Sequence, residues 1–428
     1  MASRRFEPVG PLRGSLRPPP DKSVSHRAAL IAAMADGETT IEGYLDSADT
    51  RSTLGAIEAL GAAVERSDGG DLLVHGVGLR GATEAAVDVG NAGTLLRLLP
   101  GWLAGQETGS WTLDGDDSIR RRPVDRVAEP LRLMGAQLSC REERLPPLRI
   151  EAAPLSGISY ELPVASAQVK SCLLFAGLLA EGETKVIESL PSRDHTERML
   201  TAAGAEVRRS DGAVSVRPAS RLEPGSIAVP ADFSSAAFFV VAALLVPGSE
   251  VVLEGVGLNP TRTGLLAILE RMGAEIEIEG EGERGGEPSG RVRVRPVALR
   301  GAEVGGADVP LAIDELPLVA LAACFAEGET TIRDAAELRR KESDRIATVS
   351  EALRALGAEV ETSEDGMRIT GTGGLRGGAV DAHGDHRIAM LGAIAGLASQ
   401  EGVEVRGIEA AAVSYPGFER DLASLSGR

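Results

Sequence analysis

Asp21-Lys22-Ser23-Val24-Ser25-His26-Arg27-Ala28-Ala29-Leu30-Ile31-Ala32-Ala33-Met34 is a polar head followed by a wholly apolar body. Asp and Ser at the front suit the free amides of a helix start. A body apolar on every side predicts a helix buried on every side. Five more stretches repeat the design, with heads at Asn91-Ala92-Gly93-Thr94, Ser166-Ala167-Gln168, Asp232-Phe233-Ser234-Ser235, Asp314-Glu315 and Asp385-His386-Arg387. A glycine follows each body, where a left-handed residue is expected to stop the helix.

Between these helices two shorter phrases recur. One is Gly-Ala before a strand-like run: Gly61-Ala62, Gly135-Ala136, Gly204-Ala205, Gly273-Ala274 and Gly357-Ala358. An amphipathic stretch such as Ser52–Leu60 precedes each copy. The other is Gly, polar residues and then β-branched ones, as in Gly37-Glu38-Thr39-Thr40-Ile41 and Gly328-Glu329-Thr330-Thr331-Ile332. Copies recur at about 65 to 85 residues, so the α/β chain reads as six βαβαββ units. Six exceed one core, and three per domain is the natural division. The expected domains are 21–231 and 1–20 plus 232–428, with Pro8–Pro20 pairing with the incomplete last unit. Buried helices with similarly oriented polar ends can aim several positive dipole ends at one cleft between the domains.

Composition narrows the function. Of 428 residues 43% are hydrophobic and 25% charged, a soluble globular balance. No apolar run reaches the roughly 18 to 20 residues a bilayer demands, and the amino end lacks a signal core. The formal charge of -18 disfavours nucleic acid and acidic membranes, and 3% aromatics are too few for base stacking. Three cysteines without a CxxC pair read as reduced thiols of a cytoplasmic protein. Gly76-Val77-Gly78-Leu79-Arg80-Gly81 fits a dinucleotide fingerprint, but no long helix opens after it, so it reads as a loop. No Gly-Lys dipeptide exists for a P-loop, and the histidines show no metal-ligand spacing.

The cations are placed against the dipole rule. Lys22 and Arg27 sit in the first helix head, Arg120-Arg121-Arg122 precedes a helix, Arg339-Arg340-Lys341 and Arg345 open another, and Arg387 opens a sixth. Positive charge at a helix start costs stability unless an anion answers it. In so acidic a chain, the repetition points to a polyanionic small molecule held by amides, hydroxyls and guanidinium forks.

Asp21–Arg27, Gly90-Asn91-Ala92-Gly93-Thr94, Arg122-Pro123, Ser166-Ala167-Gln168-Val169-Lys170-Ser171, Asp314-Glu315, Lys341-Glu342-Ser343-Asp344-Arg345, Asp385-His386-Arg387-Ile388-Ala389-Met390 and Ser414-Tyr415-Pro416 together resemble the 5-enolpyruvylshikimate-3-phosphate (EPSP) synthase family. The resemblance runs in order from about residue 10 to residue 418. It implies the enolpyruvyl transferase fold, a two-domain inside-out α/β barrel of six repeated units. It implies transfer of the enolpyruvyl group of phosphoenolpyruvate to shikimate 3-phosphate, in the pathway to chorismate and the aromatic amino acids, without metal or organic cofactor.

By that resemblance, Lys22, Ser23 and Arg27 are ligands of shikimate 3-phosphate, joined by Ser166, Ala167, Gln168 and Lys341. Gly93, Arg122, Gln168, Arg345 and Arg387 hold phosphoenolpyruvate, with Lys22 close by. Asp314 takes the 5-hydroxyl proton, and Glu342 protonates the methylene carbon and later accepts a proton back. Val413, Glu337, Ala167 and the Arg193-Asp194-His195 segment depart from some members and fit a second, mostly bacterial branch. Gly93 implies inhibition by glyphosate. Two alternatives stand beside this reading. A UDP-N-acetylglucosamine enolpyruvyl transferase would use a loop cysteine and a Lys-Asn pair, whereas Ser23 follows Lys22 here. A non-catalytic anion-binding protein of this fold could lose Asp314 and Glu342, and both are present. The few aromatics favour a monomer.

Overall fold

The protein is described by a computed structural model covering residues 2–427. All six predicted buried helices form: Lys22–Met34, Gly93–Leu103, Ala167–Gly177, Phe233–Leu245, Leu316–Phe325 and His386–Ala398. Thirteen consecutive residues of the Phe233–Leu245 helix are buried, as its apolar circumference demands. The chain divides into two compact units, each with its own core. An N-terminal unit comprises Pro20–Pro230 and the short Glu283–Glu287 segment. A C-terminal unit comprises the chain before Pro20, Ala231–Gly282, and everything from Pro288 on.

Among the described residues, six small sheets accompany these helices, five of four strands and one of three. In the second repeat, Ala85–Asp88 runs parallel to Ser110–Asp114 across the Gly93–Leu103 helix. The Gln137–Arg141 and Leu145–Glu151 strands then close the sheet antiparallel, in the order first, second, fourth, third. The other four-stranded sheets repeat that order. Within the N-terminal unit the Gly93–Leu103 and Ala167–Gly177 helices pack closely. A Cβ added to Gly101 would lie 2.0 Å from the Cys172 carbonyl oxygen, so only glycine admits this approach.

Two first strands are borrowed from elsewhere in the sequence. Ser226–Ala228 pairs in parallel with Asp36–Glu42 of the first repeat, while Arg13–Leu16 pairs in parallel with Glu250–Gly257 of the fourth. This corrects the expectation that Pro8–Pro20 completes the last unit. Ser3–Phe6 does so instead, antiparallel to Val403–Arg406.

The glycines also act differently from expectation. After four of the six buried helices the next residue, Ala35, Val246, Ala326 or Ser399, is extended and leads toward a strand, while Ala104 and Leu178 after the other two stay right-handed. Left-handed stops belong to the amphipathic surface helices, at the Gly-Ala phrase. Gly61 has φ +102°, its N–H bonds to Glu58 O, and the Ala62 N–H bonds to Ile57 O at 3.0 Å. That pair of bonds is a Schellman cap. It recurs at Gly135, Gly204, Gly273 and Gly357, which explains the phrase: glycine for the conformation, alanine for the buried place after it.

Candidate active site

The polar heads do two kinds of work. Asp21, Ser166, Asp232 and Asp385 accept backbone N–H bonds and cap their helices. Asn91 and Glu315 do not cap. Asn91 accepts from Arg122 Nη2 at 2.7 Å and donates to Asp116, and Glu315 turns inward.

In the N-terminal unit, the heads of the first three buried helices supply a set of polar side chains. Lys22 Nζ lies 3.2 Å from Asp49, with the lysine side chain partly exposed. Arg27 is only 3% exposed. It donates to Thr196 Oγ1 at 2.7 Å, Ser171 Oγ at 3.0 Å and the Ser23 carbonyl at 2.9 Å. Burial, only partly offset by Glu197 and Asp21, brings its guanidinium down to about 10. Arg27 thus ties the first helix to the third.

Gly93 opens its helix beside two guanidinium groups. A Cβ there would sit 2.8 Å from Arg122 Nη1 and 3.2 Å from Arg97 Nη1. Arg97 also donates to Gln168 Oε1 at 3.2 Å, and Gln168 donates to Thr94 Oγ1 at 3.2 Å. The structure therefore gathers Gly93, Arg122 and Gln168 and adds Arg97. The signal for Arg97 was a single cation inside the otherwise apolar run Leu95–Leu99. Ser166 caps the Ala167–Gly177 helix, and Ala167 is its first residue. His195 is buried against Glu287, Nδ1 to Oε1 at 2.8 Å.

In the C-terminal unit, carboxylates answer the cations that break the dipole rule. Arg345, 1% exposed, pairs with both oxygens of Asp385, with Glu342 Oε2 at 2.6 Å and with Asp314 Oδ1 at 3.2 Å. Burial would lower its pKa, but Glu342, Asp385 and Asp314 outweigh it and raise it. Burial likewise pushes the Asp385 carboxyl up, and Arg345 more than reverses this. Lys341 Nζ lies 3.2 Å from Asp314 Oδ1, and Arg387 Nη2 3.8 Å from Asp314 Oδ2. Glu342 keeps 36% of its side chain in solvent. Asp314, Glu342, Lys341, Arg345 and Arg387 thus form one cluster on a buried Arg345–Asp385 base.

Other cations of the basic runs serve the surface. Arg120 pairs with Asp114, and Arg339 with Asp344 and two carbonyl groups, so the runs overstated the site. Tyr415 packs on Phe239 and Phe418 and bonds to Asp421, a packing role for the Ser-Tyr-Pro motif. Cys172 and Cys324 are buried in helices, where burial pushes the Cys324 thiol up to about 12. Cys140 lies in a strand, its thiol also raised by burial.

The chain has the fold of the enolpyruvyl transferases. The enolpyruvyl transferase NikO from Streptomyces tendae superposes with a TM-score of 0.78 over 98% of this chain and 96% of that one, at 18% identity. EPSP synthase from Acinetobacter baumannii superposes at 0.89, with 43% identity over 99% and 97%. The family signature of EPSP synthase (3-phosphoshikimate 1-carboxyvinyltransferase) spans residues 6–422. Proteins named 3-phosphoshikimate 1-carboxyvinyltransferase are 52% identical in Thermus thermophilus, over 99% of both chains, and 50% identical in Desulfitobacterium hafniense, over 97% and 95%. The chain belongs to the EPSP synthase family.

Proposed function

We propose that this enzyme transfers the carboxyvinyl group of phosphoenolpyruvate to the 5-hydroxyl of shikimate 3-phosphate, releasing phosphate. The observation that carries this reading is the Asp314–Glu342–Lys341–Arg345–Arg387 cluster, two carboxylates among three cations at adjoining helix starts.

The 5-hydroxyl oxygen bonds to C2 of phosphoenolpyruvate as its proton passes to Asp314. Glu342 delivers a proton to C3, giving a tetrahedral intermediate. Elimination reverses the second step: the C2–O bond to phosphate breaks, a C3 proton returns to Glu342, and phosphate leaves with the proton that Asp314 had taken. A carboxylate that stays partly in solvent, as Glu342 does, can exchange its proton between turnovers. Lys341 and Arg387 beside Asp314 provide fixed positive charge for the anions that form and depart. Lys22, Ser23, Arg27, Ser166, Ala167, Gln168 and Lys341 serve shikimate 3-phosphate. Gly93, Arg122, Gln168, Arg345 and Arg387 serve phosphoenolpyruvate, with Lys22 beside it. Arg27 and Arg345 contribute through the N–H groups their protein partners leave open.

Cys172 and Cys324 in helices and Cys140 in a strand fit this reading better than a UDP-N-acetylglucosamine transferase with a loop thiol. No described helix is long and apolar enough to cross a membrane. We place the enzyme in the cytoplasm as a monomer, inhibited by glyphosate at the phosphoenolpyruvate position. Following phosphate release from both substrates together, with each alone as control, tests the assignment. Release that needs both supports it, and unchanged turnover at high glyphosate contradicts the inhibitor site.

A further inference from the structure

Glu315 follows the carboxylate assigned as base, yet no step above uses it. It stands at the N-cap of the Leu316–Phe325 helix without making a cap bond, and its side chain is 0% exposed. An ionised carboxylate taken out of water needs partners. Oε1 accepts from the Ser234 hydroxyl and lies 3.7 Å from Arg387 Nη1, while Oε2 has no hydrogen-bond partner. Ser234 in turn accepts from the buried Arg262 at 2.8 Å, and Arg262 reaches Asp232 at 3.4 Å. The fourth helix head, which the substrate assignment left unused, is therefore linked through Glu315 to the sixth.

Arg387 stands between two carboxylates, 3.7 Å from Glu315 and 3.8 Å from Asp314. Both distances are too long for hydrogen bonds, so charge centres the guanidinium while its donors stay open. Removing the Glu315 charge lets Arg387 swing onto Asp314, which blocks its donors. We infer that Glu315, itself fixed by Ser234 and Arg262, is a positioning residue that holds Arg387 for the anionic group of phosphoenolpyruvate. This rests on the assignment of Arg387 to phosphoenolpyruvate given above.

Steady-state kinetics of Glu315→Gln in the full chain test it, with Ser234→Ala as the milder variant. The expected result is a KM for phosphoenolpyruvate raised at least tenfold by Glu315→Gln and severalfold by Ser234→Ala, with binding of shikimate 3-phosphate alone changed less than twofold. Adding Glu315→Gln to an Arg387→Lys enzyme should change that KM less than twofold, since the residue acts through Arg387. An unchanged KM, an equal loss for both substrates, or an effect that multiplies with Arg387→Lys overturns the inference. If Glu315→Gln does not fold, Ser234→Ala decides by the same split between substrates. A wild-type enzyme that releases no phosphate overturns the reaction itself, whereas an active one with unaltered Glu315→Gln kinetics overturns only the role of Glu315.

Discussion

His26 lies between Lys22 and Arg27 along one helix, its Nδ1 2.6 Å from the Thr53 hydroxyl. Burial, then Lys22 and Arg27, bring its pKa down from 6.5 to about 3. The folded protein therefore keeps it neutral where the unfolded chain protonates it, so acidification through 6.5 favours unfolding and stability returns as pH rises. From pH 7 to 5.5 this group should cost about 1 kcal/mol. His26→Gln should remove that part of the pH slope in urea titrations, and parallel slopes for both proteins would refute the burial argument. At Gly93, the clash of an added Cβ is with side-chain ends, not backbone. Gly93→Ala should therefore fold normally, raise the KM for phosphoenolpyruvate roughly ten- to a hundredfold by displacing Arg122 and Arg97, and weaken glyphosate more than substrate. Unaltered KM and inhibition would separate Gly93 from the site.

Helices were legible because they are local, whereas the glycine stops expected after them belong to the surface helices instead. Polar head, apolar body and Gly-Ala phrase each report on a few neighbouring residues, and all six buried helices formed where their heads stand. Strand partnership is not local. Arg13-Gly14-Ser15-Leu16 carries no alternation that says it pairs with the fourth repeat and not the last. Nor does sequence reveal that Arg27 and Arg345 are buried and largely claimed by protein partners, because those partners lie far along the chain. The two glycine roles make contrasting predictions. Gly204, at φ +90° with open space around its Cβ, should lose about 1 kcal/mol on replacement by alanine, from backbone conformation alone. Gly101→Ala forces two buried helices apart and should cost about 3 kcal/mol. Urea unfolding of both variants checks the order, and a larger loss at position 204 would contradict it.

Across the whole molecule, 63 acidic side chains outnumber 45 basic ones, yet the cations at the helix heads collect into two sets, one in each compact unit. That gathering has a reason if each set serves phosphorylated acids. Binding should then stabilise the folded chain: shikimate 3-phosphate at a hundred times its Kd should add about 2.7 kcal/mol to unfolding, and Lys22→Ala should abolish the gain at that concentration. The most direct measurement is product formation from shikimate 3-phosphate and phosphoenolpyruvate, with phosphate and the carboxyvinyl ether quantified together for the wild type, Lys22→Ala in one unit and Glu342→Gln in the other. Equimolar ether and phosphate from the wild type, with both variants folded and inactive, is the predicted result. Phosphate without ether, no turnover, or variants that keep near wild-type rates would contradict it.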